Sequence, residues 1–153
     1  MSTIILTTKI NGSIQKCFDA ARSINLHQQS MNHFNEKAIG GVTSGLINKG
    51  ESVTWRARHF GINMKMTVAI IAMESPYSFT DEMITGPFKS MKHQHLFARE
   101  NGQTIMKDIF QFESPFGFVG RSVNNLFLKN YMKNLLISRN KVIKSHIETA
   151  AQL

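Results

Sequence analysis

The chain has 153 residues, enough for one domain with a substantial core, and its hydrophobic content of 42% is that of an ordinary globular protein. Eighteen Lys and Arg against ten Asp and Glu give a formal charge of +8, but the basic residues are scattered, without a long run or aromatic interleaving, so no nucleic-acid partner is expected. No apolar run approaches the roughly 20 residues of a membrane span, the first residues lack the basic start and cleavage site of a signal peptide, and a lone Cys17 excludes an intrachain disulfide. A single domain over residues 1–153 in the cytoplasm is the expectation.

Residues 3–10 are rich in β-branched types and read as a first strand. Asn11-Gly12 breaks it, and Ser13 caps a short helix through Ala21, with Ile14, Cys17, Phe18 and Ala21 on one stripe. Cys17 there reads as a small core filler rather than a nucleophile. Asn25 with Gln28 resembles a capping box for a second short helix. Residues 38–49, with Gly40, Gly41 and Gly45, read as a bulged second strand and a turn. Residues 51–60 alternate, Val53, Trp55, Ala57 and His59 on one face and Thr54, Arg56 and Arg58 on the other. Gly61 turns the chain into a long strand over 63–73, with Met64, Met66, Val68, Ile70 and Ala72 on one side. After Ser75-Pro76, residues 79–115 hold three strand-like segments separated by Gly86-Pro87 and Asn101-Gly102, the pattern of a β-meander.

Beyond Pro115 the period changes. From 119 to 149 there is no proline, and Phe127, Leu128, Tyr131, Met132, Leu135, Leu136, Val142 and Ile143 fall at three- and four-residue spacing, which predicts one long amphipathic helix. Lys129, Lys133, Lys141 and Lys144 fall on its opposite side, whereas Arg121 and Arg139 project within the apolar sector. No acidic residue lies between Phe116 and Ile147, so a buried arginine there needs a partner from elsewhere in the fold. An antiparallel sheet needs its apolar face covered, and this helix is the large cover on offer. The class is α+β.

Asp81, His93, His95 and Asp108 stand out in the meander. Side chains two apart on a strand share a face, which puts the two histidines together, Asp81 in step with Phe79 and Met83, and Asp108 in step with Met106, Phe110 and Phe112. Acid and imidazole groups in register with bulky apolar ones imply a polar cluster inside a greasy space. The cluster reads as a structural network closed by Arg139, as a polar anchor for a ligand, or as an acid–base pair. His-x-His with a carboxylate is also a metal-ligand pattern, but no other residue supports it, and neither metal nor cofactor is expected. Arg139 either snorkels to water or stands as a fixed cation for an anionic ligand. Trp55, Met64, Met66, Phe79, Met83, Phe88, Phe97, Met106 and Phe110 read as an adaptable lining for a lipophilic molecule, with a filled core as the plain alternative. His27, His33, His59 and His146 read as surface or structural.

The element order resembles the helix-grip fold of the START and polyketide-cyclase-like (SRPBCC) ligand-binding superfamily. Locally it is similar to a bacterial branch often labelled "cell division inhibitor", in Gly86-Pro87-Phe88, His93-Gln94-His95, Thr104 with Asp108, and Pro115-Phe116-Gly117; Met91 stands where that branch commonly has tryptophan. The label itself matches no residue chemistry in the chain. The resemblance implies a curved antiparallel sheet of six or seven strands wrapped around the C-terminal helix, two short helices after the first strand, and a cavity between sheet and helix. It also places the His93–Phe97 strand between those of Asp81 and Asp108. The function expected is binding of a small lipophilic ligand, its identity and the oligomeric state left open. The alternatives are a cyclase- or dehydratase-type enzyme using the His/Asp cluster, and an interaction module presenting the basic helix face to an acidic partner or membrane.

Overall fold

The computed structural model describes residues 1–115 and 121–150, with the side chains of 121–124 excepted. Val119, Gly120 and the Phe116-Gly117 part of the entry motif therefore lie outside the described residues, as does the side chain of Arg121. Strand β1 (Ser2–Ile10) is followed by helices α1 (Ile14–Ala21) and α2 (Ile24–Ser30) and a short 3-10 turn at Asn32–Phe34. Then come β2 (Lys37–Gly41), β3 (Ser52–His59), β4 (Ile62–Glu74), β5 (Ser78–Thr85), β6 (Ser90–Glu100) and β7 (Gln103–Glu113), and finally α3 (Arg121–Ala150).

Ser13 caps α1 as its position predicts, accepting from the Lys16 amide. The cap of α2 is Ser23 rather than Asn25: the Ser23 hydroxyl accepts from the Leu26 amide. Both residue types cap well, and Asn25 is needed elsewhere. Its Oδ1 accepts from the Gly45 amide at 2.7 Å and ties α2 to the loop after β2.

The seven strands form one sheet in the order β1-β7-β6-β5-β4-β3-β2, every neighbouring pair antiparallel. The expected bulge in β2 falls between Ala38 and Gly40. Two further irregularities, which strict alternation does not reveal, fall in β4, one between Thr67 and Val68 and the other between Ile70 and Ala72. An extra residue there reverses the facing of the residues beyond it, so Ala72 is exposed and Met73 turns inward against the core.

Helix α3 lies along the inner face of the sheet with Leu136, Ile143 and Ile147 buried. Its C-terminal half is clamped to β1: Lys144 Nζ donates to the Lys9 carbonyl at 2.5 Å, and the Asn11 amide donates to Glu148 Oε2 at 2.9 Å. A Cβ at residue 12 would collide with Ile147 Cγ2, so glycine is what lets helix and strand approach there. The Gly12 carbonyl accepts from Thr104 Oγ1 and from Arg99 Nη1, each at 2.7 Å, so the threonine of the Thr-x-x-x-Asp motif is a fastener. At the other end the apolar stripe gives out. Phe127 is 60% exposed, its ring 5.7 Å from that of Phe60 in the β3–β4 turn, itself exposed. Under α1, Phe18 packs edge-on against Phe79 and Phe97 at 5.5 and 5.6 Å. Cys17 is fully buried beside it, and burial raises its thiol pKa, as suits a core filler. No helix among the described residues is long and apolar enough to cross a membrane.

Candidate functional site

The meander places β6 between the strands of the two acids, with Asp81 directly opposite His93 and His95 directly opposite Asp108. The hydrogen bonds nevertheless run along the diagonals. His93 Nε2 meets Asp108 Oδ1 at 2.8 Å, and His95 Nε2 meets Asp81 Oδ2 at 2.8 Å. Diagonal neighbours on a sheet are about 7–8 Å apart, a span that imidazole and carboxylate bridge together. The two imidazole rings lie 3.8 Å apart between centroids, and the His95 ring stacks on Phe79 at 4.0 Å.

Asp108 is fully buried, and α3 completes its coordination. Asn140 Nδ2 donates to its Oδ2 at 2.7 Å, and Arg139 Nη1 stands 3.6 Å from its Oδ1. The acidic partner that the neighbouring positions of α3 do not offer Arg139 is therefore Asp108 of β7. Arg139 does not snorkel: it is 4% exposed and donates through Nη2 to the Ala21 carbonyl at the end of α1, and through Nη1 to Asn140 Oδ1. A helix C-terminus carries unsatisfied carbonyls and partial negative charge, so it suits a guanidinium.

These contacts set the charges. Burial works against ionisation of Asp108, but the His93 hydrogen bond, the His95 ring beside it and the Arg139 charge outweigh it and hold the carboxyl well below its ordinary range. Burial opposes ionisation of Asp81 as well, and the His95 hydrogen bond and charge bring its net shift downward. Burial, followed by the neighbouring His95, pushes His93 down to about 4 in spite of Asp108. His93 is therefore neutral near pH 7 and donates from Nε2 to the carboxylate. His95 Nδ1 is buried without a hydrogen-bond partner, 3.4 Å from Asp108 Oδ1.

Between the sheet and α3 lies a cavity of about 410 Å³. Of the residues singled out from sequence, Trp55, Met64, Met66, Phe79, Asp81, Phe88, His93, His95, Phe110 and Arg139 line it. The remaining candidates do not. Asp108 sits behind the histidines, and Phe97 and Met106, paired across β6 and β7, belong to the closed core under α1. Met83 packs beneath the Gly86 turn, where an added Cβ would lie 2.6 Å from its sulfur.

Two polar pairs at the cavity wall escape the sequence reading. His59 Nδ1 bonds the Tyr131 hydroxyl at 2.7 Å, and His27 Nε2 meets Glu36 Oε1 at 3.0 Å with its ring against Trp55 at 4.3 Å. All four residues line the cavity, so His27 and His59 are wall residues rather than surface ones. Burial lowers the His59 pKa and raises that of Tyr131, which keeps both neutral near pH 7. His59 is in phase with Trp55, and Tyr131 lies on the stripe of Arg139, so their facing was legible. The His27–Glu36 pairing carries no periodic signal.

Asp81, His93 and His95 bring three potential metal-ligand atoms within 4.8 Å of one another. Both Nε2 atoms are bonded to carboxylates, and the Arg139 cation stands beside Asp108, so these nitrogens are committed to a hydrogen-bond network.

No protein-family model and no curated protein matches the sequence. Solved structures do match in fold. A START superfamily protein from Mycobacterium smegmatis has 10% identity and a TM-score of 0.73, over 97% of this chain and 98% of its own. The KanY protein has 11% identity and a TM-score of 0.75, over 96% of this chain and 97% of its own. Ginseng major latex-like protein 151 from Panax ginseng has 17% identity and a TM-score of 0.65, over 95% and 97%. The resemblance to the START and polyketide-cyclase-like superfamily thus holds at the level of the helix-grip fold.

Proposed function

We propose that this chain binds a small lipophilic molecule in the cavity between the sheet and α3. The observation that carries the reading is the wall: about 410 Å³ of space faced mostly by aliphatic, aromatic and methionine side chains, with a few convergent polar groups. That volume and composition fall in the range of small-molecule sites, which run from about 300 to 1,000 Å³. Met31, Met64, Met66, Met91 and Met132 make the wall adaptable. Binding is favoured over acid–base catalysis because both histidines are engaged through Nε2 with carboxylates, leaving each imidazole fixed.

The test uses Trp55, the single tryptophan, which faces the cavity. Titration with an anilinonaphthalene dye should show saturable one-to-one binding, with energy transfer from Trp55 and release by added fatty alcohol. Native mass spectrometry of protein purified from its own host should show a co-purifying lipophilic mass. A dye that never saturates and never quenches Trp55 would overturn the reading.

A further inference from the structure

Helix α3 is a ruler along the cavity. Tyr131 and Arg139 both face it, eight residues apart, which at about 1.5 Å of rise per residue places them about 12 Å apart along the axis. Met132, Leu135 and Leu136 face the cavity between them. The wall therefore reads polar, apolar, polar.

The two polar ends have definite chemistry. At the Arg139 end the guanidinium is already engaged by Asp108, Ala21 and Asn140. Asp81 is the acid that lines the cavity at this end, Asp108 being fully buried behind the histidines. Among the described residues Asp81 meets His95 through Oδ2 and has no hydrogen bond at Oδ1, whereas His95 Nδ1 is buried against Asp108 and closed to a ligand. An ionised carboxylate only accepts, so this end takes a hydroxyl hydrogen and repels an anion. At the other end the Tyr131 hydroxyl, bonded to His59, both donates and accepts.

We infer that the ligand is an elongated amphiphile carrying a hydroxyl-type group at each end of an apolar body, the two groups separated by about the 12 Å that α3 measures between Arg139 and Tyr131. The inference rests on the cavity being a ligand site. One hydroxyl donates to Asp81 beneath α1, the other pairs with Tyr131, and the methionine-rich wall covers the middle. A carboxylate or phosphate group is disfavoured beside Asp81.

The test uses three rigid fluorescent probes of one shape: a stilbene with a para-hydroxyl on each ring, the same stilbene with one hydroxyl, and its para,para-dicarboxylate. The dihydroxy probe should bind about tenfold more tightly than the monohydroxy one, and the dicarboxylate most weakly. Tyr131→Phe should weaken the dihydroxy probe more than the monohydroxy one and so erase the advantage of the second hydroxyl, with a thermal melt reporting that the variant is folded. If that variant does not fold, His59→Phe carries the same comparison. Equal affinity for the two phenols, tighter binding of the dicarboxylate, or an equal loss for both phenols in the variant would overturn the inference while leaving the cavity a ligand site. Failure of all three probes, together with failure of the dye, would overturn both.

Discussion

The two ends of the cavity hold the same kinds of groups in opposite conditions. At the deep end, Asp81, His93, His95 and Asp108 are bonded to one another, and Asn140 and Arg139 close the set from α3. At the outer end, His59 and Tyr131 form one bond beside Phe60 and Phe127, two rings left largely exposed. The lesson concerns what a hydrogen bond is worth. A neutral pair near water contributes about 0.5–1.5 kcal/mol net. Removing one member of a buried charged set costs about 3–5 kcal/mol, because its partners are left unpaired away from water.

Breaking the deep end should have the largest effect. Asp108→Ala leaves His93, Asn140 and Arg139 without their common acceptor, and urea denaturation should show a loss of about 3–5 kcal/mol. A loss below about 1 kcal/mol would place the network in contact with solvent and dissolve the contrast.

The next effect sharpens the contrast through pH. His93 is held at about 4 in the folded chain, against roughly 6.5 when unfolded. Between those values the unfolded chain binds a proton that the folded chain refuses, so stability is full above pH 6.5 and falls as pH drops toward 4. Asp81 and Asp108, both depressed, add a further loss in the same direction below the unfolded carboxylate range, near pH 4. One such imidazole contributes up to about 1.4 kcal/mol per pH unit, and roughly 2–3 kcal/mol should be lost between pH 7 and 4. His93→Gln should flatten that slope. An unchanged slope in the variant would assign the proton to another group.

The smallest effect belongs to the outer end. Tyr131→Phe should cost about 0.5–1.5 kcal/mol in the same denaturation experiment, and equally at pH 7 and pH 8, since burial holds His59 below and Tyr131 above their ordinary values. A loss as large as that of Asp108→Ala would mean that the two ends are not different in kind.

How much of this was legible depends on what each signal encodes. Alternation reports facing, and facing was enough to put Val53, Trp55 and Ala57 inward and His93 beside His95. Charge reports need: Arg139 on an apolar stripe with no acid nearby demanded a distant partner. Neither reports pairing. The crossed bonds of His93 and His95 come from side-chain reach across three strands, and the choice of Asp108 for Arg139 comes from where α3 lies. Asn140 joins the network from the helix position next to Arg139, a short polar residue that nothing in the sequence marks. The bulge after Ile70 broke the alternation, so Ala72 and Met73 exchanged faces. Serine and asparagine cap equally well, and only tertiary contact separated Ser23 from Asn25.

The crossed pairs have a consequence for strand alignment during folding. Hydrophobic alternation penalises a one-residue slip of β6, which would turn every inward side chain out. It does not penalise a slip of two, because the facing is preserved. The diagonal bonds do. Sliding β6 by two in one direction puts His95 where His93 belongs and Phe97 opposite Asp108; in the other, His93 stands opposite Asp108 and Met91 opposite Asp81. Either way two buried carboxylates are left with a single imidazole between them, while the displaced histidine is stranded among apolar side chains. Only one alignment gives each acid its own ring. The polar cluster therefore acts as a key that reads the alignment of β5, β6 and β7 at a spacing the greasy residues around it cannot resolve.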